Sequence, residues 1–330
     1  MNSTSLTGIK PSGVPHIGNY LGMIQPALEL AESHRGYYFI ADYHALTGRP
    51  DRNKLQEHIY EVAAVWLALG LDPDRVIFYR QSDVPELPEL AWILACVAAK
   101  GLLNRAHAYK SAVDNNLAKN KPIDADINTG LYFYPILMAS DILLFSADVV
   151  PVGADQKQHL EITRDIATSF NDQFGRTFKL PSEMIRENAP AIPGTDGRKM
   201  SKSYNNTIPI FAKSHVIRKQ VMRIVTDSKA PEDPKDPETC NVFSIYRHFA
   251  SPEAIDARRK AYLNGGLSYS RIKQELFELL EDRFDRNRCQ YFDLLSEKAK
   301  IDRILKDGAQ NARSNAKKML GRVRRKIGID

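Results

Sequence analysis

Cysteine is scarce in this chain, and its apolar runs are short. The three cysteines, Cys96, Cys240 and Cys289, lie far apart and form no CxxC pair, which argues against a disulfide framework and a zinc site. The longest apolar run, residues 90–99, has about half of the ~20 residues that cross a bilayer. Residues 1–10 lack the apolar core of a signal peptide. We therefore expect a soluble, cytoplasmic protein without a membrane segment.

Net charge is only +6 over 330 residues, but it is unevenly placed. A chain of this length, 43% hydrophobic and 26% charged, suits one large or two modest domains. Positive charge is concentrated near the end, at Arg303, Lys306, Arg313, Lys317, Lys318, Arg322, Arg324, Arg325 and Lys326. This cluster suits a phosphate-rich partner, and on charge alone a solvated helix face explains it equally well.

Strand and helix patterns alternate early in the chain. Residues 5–9, 36–46 and 75–81 read as strands without clean alternation, as expected when both faces of a sheet are covered. Between the last two, residues 54–70 have helical spacing and end at a glycine. These patterns predict an α/β fold with a Rossmann-like, doubly wound parallel sheet.

The later chain is mainly helical in pattern. An apolar helical insertion is predicted at about 83–125, and residues 206–330 are predicted to form an all-α domain. The predicted domains are thus 1–205, for small-molecule binding and catalysis, and 206–330. The last ~30 residues could pack back on the first domain.

A glycine-rich turn follows the first predicted strand, in the sequence GIKPSGVPHIGNYLG. Gly8, Gly13 and Gly18 let backbone approach a phosphate or a sugar, and His16 and Asn19 lie one helical turn apart. This arrangement suits ATP. A glycine turn capped by a polar side chain explains the same residues, so this segment by itself leaves the choice open.

A second motif, RKMSKSYNN, occupies residues 198–206 after a segment rich in Pro and Gly. A chance match to a string such as KMSKS has a probability of about one in ten thousand in a chain this long. HIGN followed 183 residues later by KMSKS (199 minus 16) resembles the HIGH and KMSKS pair of class I aminoacyl-tRNA synthetases. The resemblance implies in-line attack of an amino acid carboxylate on the α-phosphorus of ATP. Lys199 and Lys202, on a mobile loop, would stabilise the departing pyrophosphate while Ser201 orients it.

Residues 130–165 indicate which amino acid a synthetase of this kind would activate. They are similar to the tryptophanyl-tRNA synthetase pattern YPxLMAxDIL followed by VPVGxDQxQHxExxRD. By this resemblance Asp141 accepts the indole N–H, Met138 packs on the ring, Tyr134 and Gln156 hold the ammonium group, and His44 lies near the pocket. Physical chemistry supports Asp141 independently, because indole offers one donor and no acceptor, which matches an acceptor-only carboxylate.

The same resemblance implies a complete set of ligands and partners. The catalytic residues would be His16, Asn19, Lys199, Ser201 and Lys202. The ATP-binding residues would be Gly8, Lys10, Pro11, Ser12, Gly18, Asn19, Gly153, Ala154, Asp155, Ile192, Lys199, Met200, Ser201, Lys202 and Ser203. The substrates would be ATP, L-tryptophan and tRNA(Trp), and the helical domain 206–330 would bind the anticodon stem of that tRNA. Mg²⁺ would accompany ATP without a protein cage. No permanently bound cofactor is expected, and the apolar insertion around Trp92 suggests a homodimer.

Some positions depart from the family pattern, and other functions remain open. Lys10 stands where many relatives have Gln, Ala112 where a second Lys is usual, and Ala154 where an acidic residue is usual. A tyrosine-specific relative is the nearest alternative. A nucleotidylyltransferase that never contacts RNA and a synthetase-like paralogue without charging activity are the others. The helical region after residue 205 argues against the nucleotidylyltransferase, and the intact motifs argue against the paralogue without charging activity.

Overall fold

The computed structural model describes residues 3–152, 157–185 and 192–329. The chain divides into two compact units, one formed by residues 1–13, 25–188 and 297–330 and the other by 14–24 and 189–296. Across the described ranges, no helix combines the length and the apolar composition that spanning a bilayer requires.

A parallel sheet forms the centre of the first unit. Its strands are β1 Thr4–Ile9, β2 Arg35–Ile40, β3 Ile77–Arg80, β4 Val149–Val152 and β5 Ser182–Ile185. Their order is β3-β2-β1-β4-β5, and every pairing is parallel. The order runs outward from β1 in both directions, which defines a doubly wound sheet. The predicted fold class is confirmed, although β5 carried no recognised strand signal in the sequence.

Helices make up most of the remaining chain. A π turn, Tyr20–Ile24, connects the first two helices. The helices are α1 Ile17–Asn19, α2 Gln25–Ala31, α3 Asp42–Ala45, α4 Arg52–Ala68, α5 Glu86–Val97, α6 Lys100–Asn104, α7 His107–Ala118, α8 Thr129–Leu144, α9 Lys157–Phe174, α10 Ser214–Met222, α11 Asn241–Tyr246, α12 Pro252–Asn264, α13 Tyr269–Ser296 and α14 Lys298–Ile327.

The carboxyl ends of β2 and β3 bring polar residues together. Ile40 of β2 pairs with Arg80 of β3, so the residues that follow each strand emerge side by side. Buried Asp42 accepts hydrogen bonds from the backbone N–H of Ser82, at 3.0 Å, and from its hydroxyl. These bonds tie the start of α3 to the turn after β3, and they fix the edge of the sheet where ligands collect in doubly wound folds.

Helix α14 belongs to the first unit, in which it packs against β3 and α5. Its buried residues recur every three or four positions and join the same hydrophobic core as the sheet, at Ala309, Ala312, Ala316, Met319, Leu320 and Val323. Ion pairs anchor it along its length, because Arg313 binds Glu86 at 3.1 Å and Arg324 binds Glu89 at 2.5 Å. Two of the basic side chains near the end of the sequence are therefore engaged within the fold.

The second unit is built around α13, whose buried residues Ile272, Leu276, Leu280 and Phe284 form one stripe. Helices α10 and α11 pack against this helix. Phe284 also receives the ring of Tyr20, edge to face, at 5.0 Å between centroids. The π turn that follows α1 is thereby packed into this unit.

The compact units do not follow the boundary predicted at residue 205. Residues 14–24 group with 189–296, and residues 297–330 group with the sheet. The predicted boundary was placed where the local sequence pattern changes, whereas the compact units depend on which apolar faces bury one another. The functional division into a catalytic and a tRNA-binding domain stays a prediction.

We predict that Gly308→Ala destabilises the first unit. A Cβ at Gly308 would lie 1.8 Å from the backbone oxygen of Phe78 in β3, so α14 would have to move away from the sheet, at a cost of about 1–3 kcal/mol. Thermal unfolding measures the effect as a lower Tm.

Gly321→Ala in the same helix is the matched control. Its Cβ would come no closer than 3.8 Å to the mobile end of the Arg325 side chain, so it should gain up to ~1 kcal/mol from helix propensity. Equal shifts of Tm in the two variants would contradict the packing described for α14.

Candidate functional site

The HIGN sequence forms a reciprocal cap at the start of α1. The backbone N–H of His16 donates to Asn19 Oδ1 at 3.1 Å, and the backbone N–H of Asn19 donates to His16 Nδ1 at 3.3 Å. A Cβ at Gly18 would lie 3.1 Å from the imidazole ring, so only glycine leaves this ring its full space. The local sequence therefore builds a rigid turn around one histidine.

His16 is held in its neutral form. Burial lowers its pKa to about 4, and the positive charge of Lys202 acts in the same direction. Because Nδ1 accepts a hydrogen bond from a backbone amide, the single proton of the neutral ring lies on Nε2. His16 thus offers an N–H donor and no charge, which suits a phosphate oxygen whose charge is balanced elsewhere.

Backbone pairing brings the two motifs into the same unit. The N–H of Ile17 donates to the carbonyl of Ile208 at 3.0 Å, and the N–H of Ile210 donates to the carbonyl of Pro15 at 3.1 Å. His16 and Pro209 form the antiparallel bridge between these two bonds. No local pattern signals this pairing, because the two bridge residues are 193 positions apart (209 minus 16).

The described part of the KMSKS segment is a tight hairpin. The N–H of Met200 donates to the carbonyl of Ile192 at 2.8 Å, and the N–H of Gly194 donates to that of Arg198 at 2.7 Å. Gly197, at φ +82°, makes the turn between them. Ile192 and Met200 are buried, so they anchor the hairpin.

Asn206 organises this hairpin, and sequence reasoning missed it. The side chain is 1% exposed. Its Oδ1 accepts from the N–H of Ser201 at 2.7 Å, and its Nδ2 donates to Asp196 at 2.7 Å and to the carbonyl of Lys199 at 3.2 Å. One amide thus fixes the backbone around both lysines. The signal in the sequence that could have identified Asn206 was its position at the end of RKMSKSYNN.

The cationic and hydroxyl side chains of this segment lie at the surface. Lys199, Lys202 and Ser203 are exposed, and Ser201 accepts from the N–H of Ser203 at 3.3 Å to cap a 3₁₀ turn, Lys202–Tyr204. An ordered backbone with exposed ammonium groups can present positive charge to a polyphosphate.

The residues predicted before HIGN lie in the first unit. Gly8 is required by packing, because a Cβ there would meet the Phe39 ring at 2.3 Å. Lys10 donates to Thr47 Oγ1 at 3.0 Å. Pro11 is buried, and Ser12 is exposed in the turn that follows.

A buried carboxylate defines a second site, also in the first unit. Asp141 on α8 is 2% exposed. His44 Nε2 lies 3.0 Å from its Oδ2, and Gln81 Nε2 donates to both of its oxygens at 2.9 Å. Burial raises the pKa of Asp141, and the hydrogen bonds from His44 and Gln81 oppose that rise. Sequence reasoning included His44 and missed Gln81, which directly follows β3.

The same face of α8 carries two more predicted residues. Tyr134, Met138 and Asp141 are spaced at i, i+4 and i+7, so they align along one side of the helix. The Tyr134 hydroxyl lies 2.9 Å from His159 Nε2 of α9, and Met138 packs against the core. His159 is a third residue that sequence reasoning missed, after Asn206 and Gln81. The predicted residues Gly153, Ala154, Asp155 and Gln156 lie outside the described residues.

Comparisons with known proteins agree with the motifs. Residues 2–285 match the family described as tRNA synthetases class I (W and Y). The chain is 48% identical to the tryptophan–tRNA ligase of Pseudomonas aeruginosa, covering 100% of this chain and 74% of that protein. It is also 48% identical to the tryptophan–tRNA ligase of Xanthomonas campestris, with 100% and 77% covered. The crystal structure of Campylobacter jejuni tryptophanyl-tRNA synthetase with ADP and tryptophan is similar at a TM-score of 0.90 and 43% identity, covering 98% and 99% of the two chains.

We predict that His16 makes stability depend on pH. The folded chain has a His16 pKa of about 4 and the unfolded chain one near 6.5. Between these values the unfolded state binds the proton and the folded state does not, so stability falls as pH falls from about 6.5 to about 4. His16→Asn keeps a capping side chain and removes this titration.

Urea unfolding at several pH values tests this expectation. The stability of the Asn variant, relative to the unmodified chain, should rise as pH falls through that window. His215→Asn, at an exposed position, controls for the loss of a histidine. The same trend in both variants would contradict the account of His16.

Proposed function

This chain belongs to the class I tRNA synthetase family of the tryptophan and tyrosine enzymes, and we propose from this that it is a tryptophan–tRNA ligase. The observation that carries the proposal is the joining of HIGN and KMSKS in one unit, with Lys202 near enough to lower the pKa of His16. Identity of 48% to tryptophan–tRNA ligases over 100% of this chain supports the choice of amino acid.

The first reaction joins tryptophan to AMP. A carboxylate oxygen of tryptophan attacks the α-phosphorus of ATP, and the bond from that phosphorus to the pyrophosphate oxygen breaks. Negative charge then grows on the leaving group, so the proposal assigns Lys199 and Lys202 to its phosphates and the Nε2–H of His16 to a phosphate oxygen. Asn19 and Asn206 keep the histidine and the hairpin in place. Contacts that strengthen as the bond breaks raise the rate.

The second reaction transfers the amino acid to tRNA. A hydroxyl oxygen of the 3′-terminal ribose attacks the carbonyl carbon of tryptophanyl-adenylate. The bond from that carbon to the phosphate oxygen breaks, AMP leaves, and the hydroxyl proton passes to solvent. The proposal assigns the helices after residue 205 to tRNA(Trp). On α14, exposed Lys317, Lys318 and Arg325 supply positive charge that is not part of its ion pairs with α5.

The buried carboxylate supports tryptophan over tyrosine. Gln81 and His44 direct their donors at Asp141, so the pocket offers an acceptor to an incoming N–H. A phenol would also need a donor for its own oxygen, and these two side chains have none to spare. The proposal places Met138 against the indole ring and Tyr134 near the ammonium group.

Mg²⁺ would arrive with ATP and be held by phosphate oxygens and water. Within the described ranges no group of three His, Cys, Asp or Glu side chains is placed to hold a metal ion. The ammonium groups of Lys199 and Lys202 fit a polyphosphate that carries its own cation. Titration of ATP binding with and without Mg²⁺ tests this, and tighter binding without the ion would exclude it.

We also propose a cytoplasmic homodimer. Trp92 on α5 is 69% exposed, which is unusual for so large an apolar side chain and suits burial against a second copy. Sedimentation at micromolar concentration tests the assembly, and a monomer would exclude it. The cytoplasm is where tRNA is charged for translation, and cell fractionation tests the location.

We predict that the chain activates tryptophan and not tyrosine. ATP–pyrophosphate exchange with each aromatic amino acid measures activation, and aminoacylation of total tRNA with the same panel measures transfer. Preference for tyrosine would overturn the specificity, and activation without tRNA charging would indicate a different role.

We predict that Lys202→Ala slows adenylate formation by a factor on the order of 100, the usual cost of removing one group that stabilises transition-state charge. Tryptophan affinity should persist, because the proposal assigns Lys202 to the phosphates of ATP and the binding of the indole ring to Asp141. Single-turnover kinetics and equilibrium tryptophan binding separate the two effects. Lys219→Ala, at an exposed position on α10, is the control, and an unchanged rate in the Lys202 variant would contradict the mechanism.

A further inference from the structure

Gln81 is the most buried polar group around the Asp141 carboxylate, with a side chain that is 0% exposed. Its Oε1 accepts from the backbone N–H of Tyr43 at 3.1 Å and of His44 at 3.4 Å. Because backbone amides can only donate, these two bonds assign the oxygen, and the NH₂ group must face Asp141. Its two bonds to the carboxylate oxygens, both 2.9 Å, hold the group from one side.

The two oxygens of the Asp141 carboxylate accept different numbers of hydrogen bonds. Together they offer about four acceptor positions. Among the residues that the structure describes, Oδ2 receives Gln81 and His44, whereas Oδ1 receives Gln81 alone. The second acceptor position of Oδ1 therefore has a fixed direction, because a carboxylate held at both oxygens cannot rotate about its bond to Cβ.

From these contacts we infer that Gln81 is a positioning residue for substrate recognition, which orients the second acceptor position of Asp141 Oδ1 toward the indole N–H. The inference rests on the proposed function and adds the residue that sets its selectivity. Gln81 contacts neither ATP nor the reacting carboxylate in this scheme. Its effect therefore falls on the discrimination between side chains that have and lack an N–H.

The position of Gln81 in the fold explains why it can do this. It follows β3 directly, and α3, which carries Tyr43 and His44, follows the neighbouring strand β2. The amide therefore links both strand ends to α8 in one chain of hydrogen bonds. These linked hydrogen bonds fix the direction of the Asp141 carboxylate, which the packing of the apolar helix α8 alone would not do.

The test compares tryptophan with 3-(benzothiophen-3-yl)alanine, which has nearly the same shape and no N–H. Gln81→Met keeps the volume and removes both donors. ATP–pyrophosphate exchange should show kcat/KM for tryptophan reduced by about 10- to 100-fold, with a much smaller reduction for the analogue. The ratio of the two should fall by about 10-fold. An equal reduction for both substrates, as a general structural role would produce, overturns the inference.

Ser82→Ala is the matched control in the same turn. It removes the hydroxyl that donates to Asp42 and leaves the contacts to Asp141 in place. Any loss of activity in this variant should be the same for tryptophan and the analogue. A change of ratio as large as that of the Gln81 variant would show that the turn as a whole is responsible, which also overturns the inference.

Gln81→Glu gives an independent readout if the Met variant fails to fold. The carboxyl group introduced by this substitution would keep an acceptor for the two backbone amides and could donate to Asp141 only when protonated. Its nearest titratable partner is Asp141, and among the described residues Asp141 interacts in turn with His44, Asp42 and Tyr79. As two adjacent carboxyl groups share one proton, the KM for tryptophan should rise with pH between about 6 and 9, whereas that of the unmodified chain should not. A KM without this added pH dependence overturns the inference.

The unmodified chain separates this inference from the proposed function. If it fails to activate tryptophan, the proposed function fails and the inference fails with it. If it activates tryptophan and discriminates against the analogue, but the Gln81 variants keep that discrimination, only the role of Gln81 is wrong.

Discussion

The burial of one carboxylate constrains much of the first unit. A charged group that is 2% exposed is stable only when donors surround it. Asp141 finds these donors in His44 and Gln81, which come from segments that follow β2 and β3. Asp141, His44 and Gln81 can meet only because β2 and β3 lie in parallel register. Helix α8 must also hold Asp141 beside the segments that follow these strands.

The HIGN and KMSKS motifs obey a different constraint, since hydrogen bonds to and between backbone groups hold most of their polar groups in place. The antiparallel pairing of residues 15–17 with 208–210 joins HIGN to the segment after KMSKS. Asn206 then holds the hairpin that carries Lys199. These hydrogen-bonded turns present a neutral donor and exposed ammonium groups, an arrangement that suits the polyphosphate ligand of the proposed function.

Charged groups are stabilised differently in the two units. In the second unit the pKa of His16 is lowered by burial and by Lys202, so positive charge is concentrated on the lysines. In the first unit, hydrogen bonds from His44 and Gln81 oppose the effect of burial on Asp141. The basic residues of α14 fall into two groups. Arg313 and Arg324 form ion pairs with α5, whereas others, such as Lys317 and Lys318, are exposed at the surface.

The fold class, the motifs and most helices could be predicted from the order of residues alone, because periodicity, glycine turns and short motifs are local properties. Asp141 could be proposed as a candidate site residue in the same way, from its motif and from the match between a carboxylate and an indole donor. The hydrogen bonds of Gln81, His159 and Asn206 emerged only from the folded chain. The packing of α14 on the sheet, which the sequence left open, was also decided there. The physical reason is that a hydrogen-bond partner is chosen by distance in space, whereas a local pattern records which residues are buried and not what they meet.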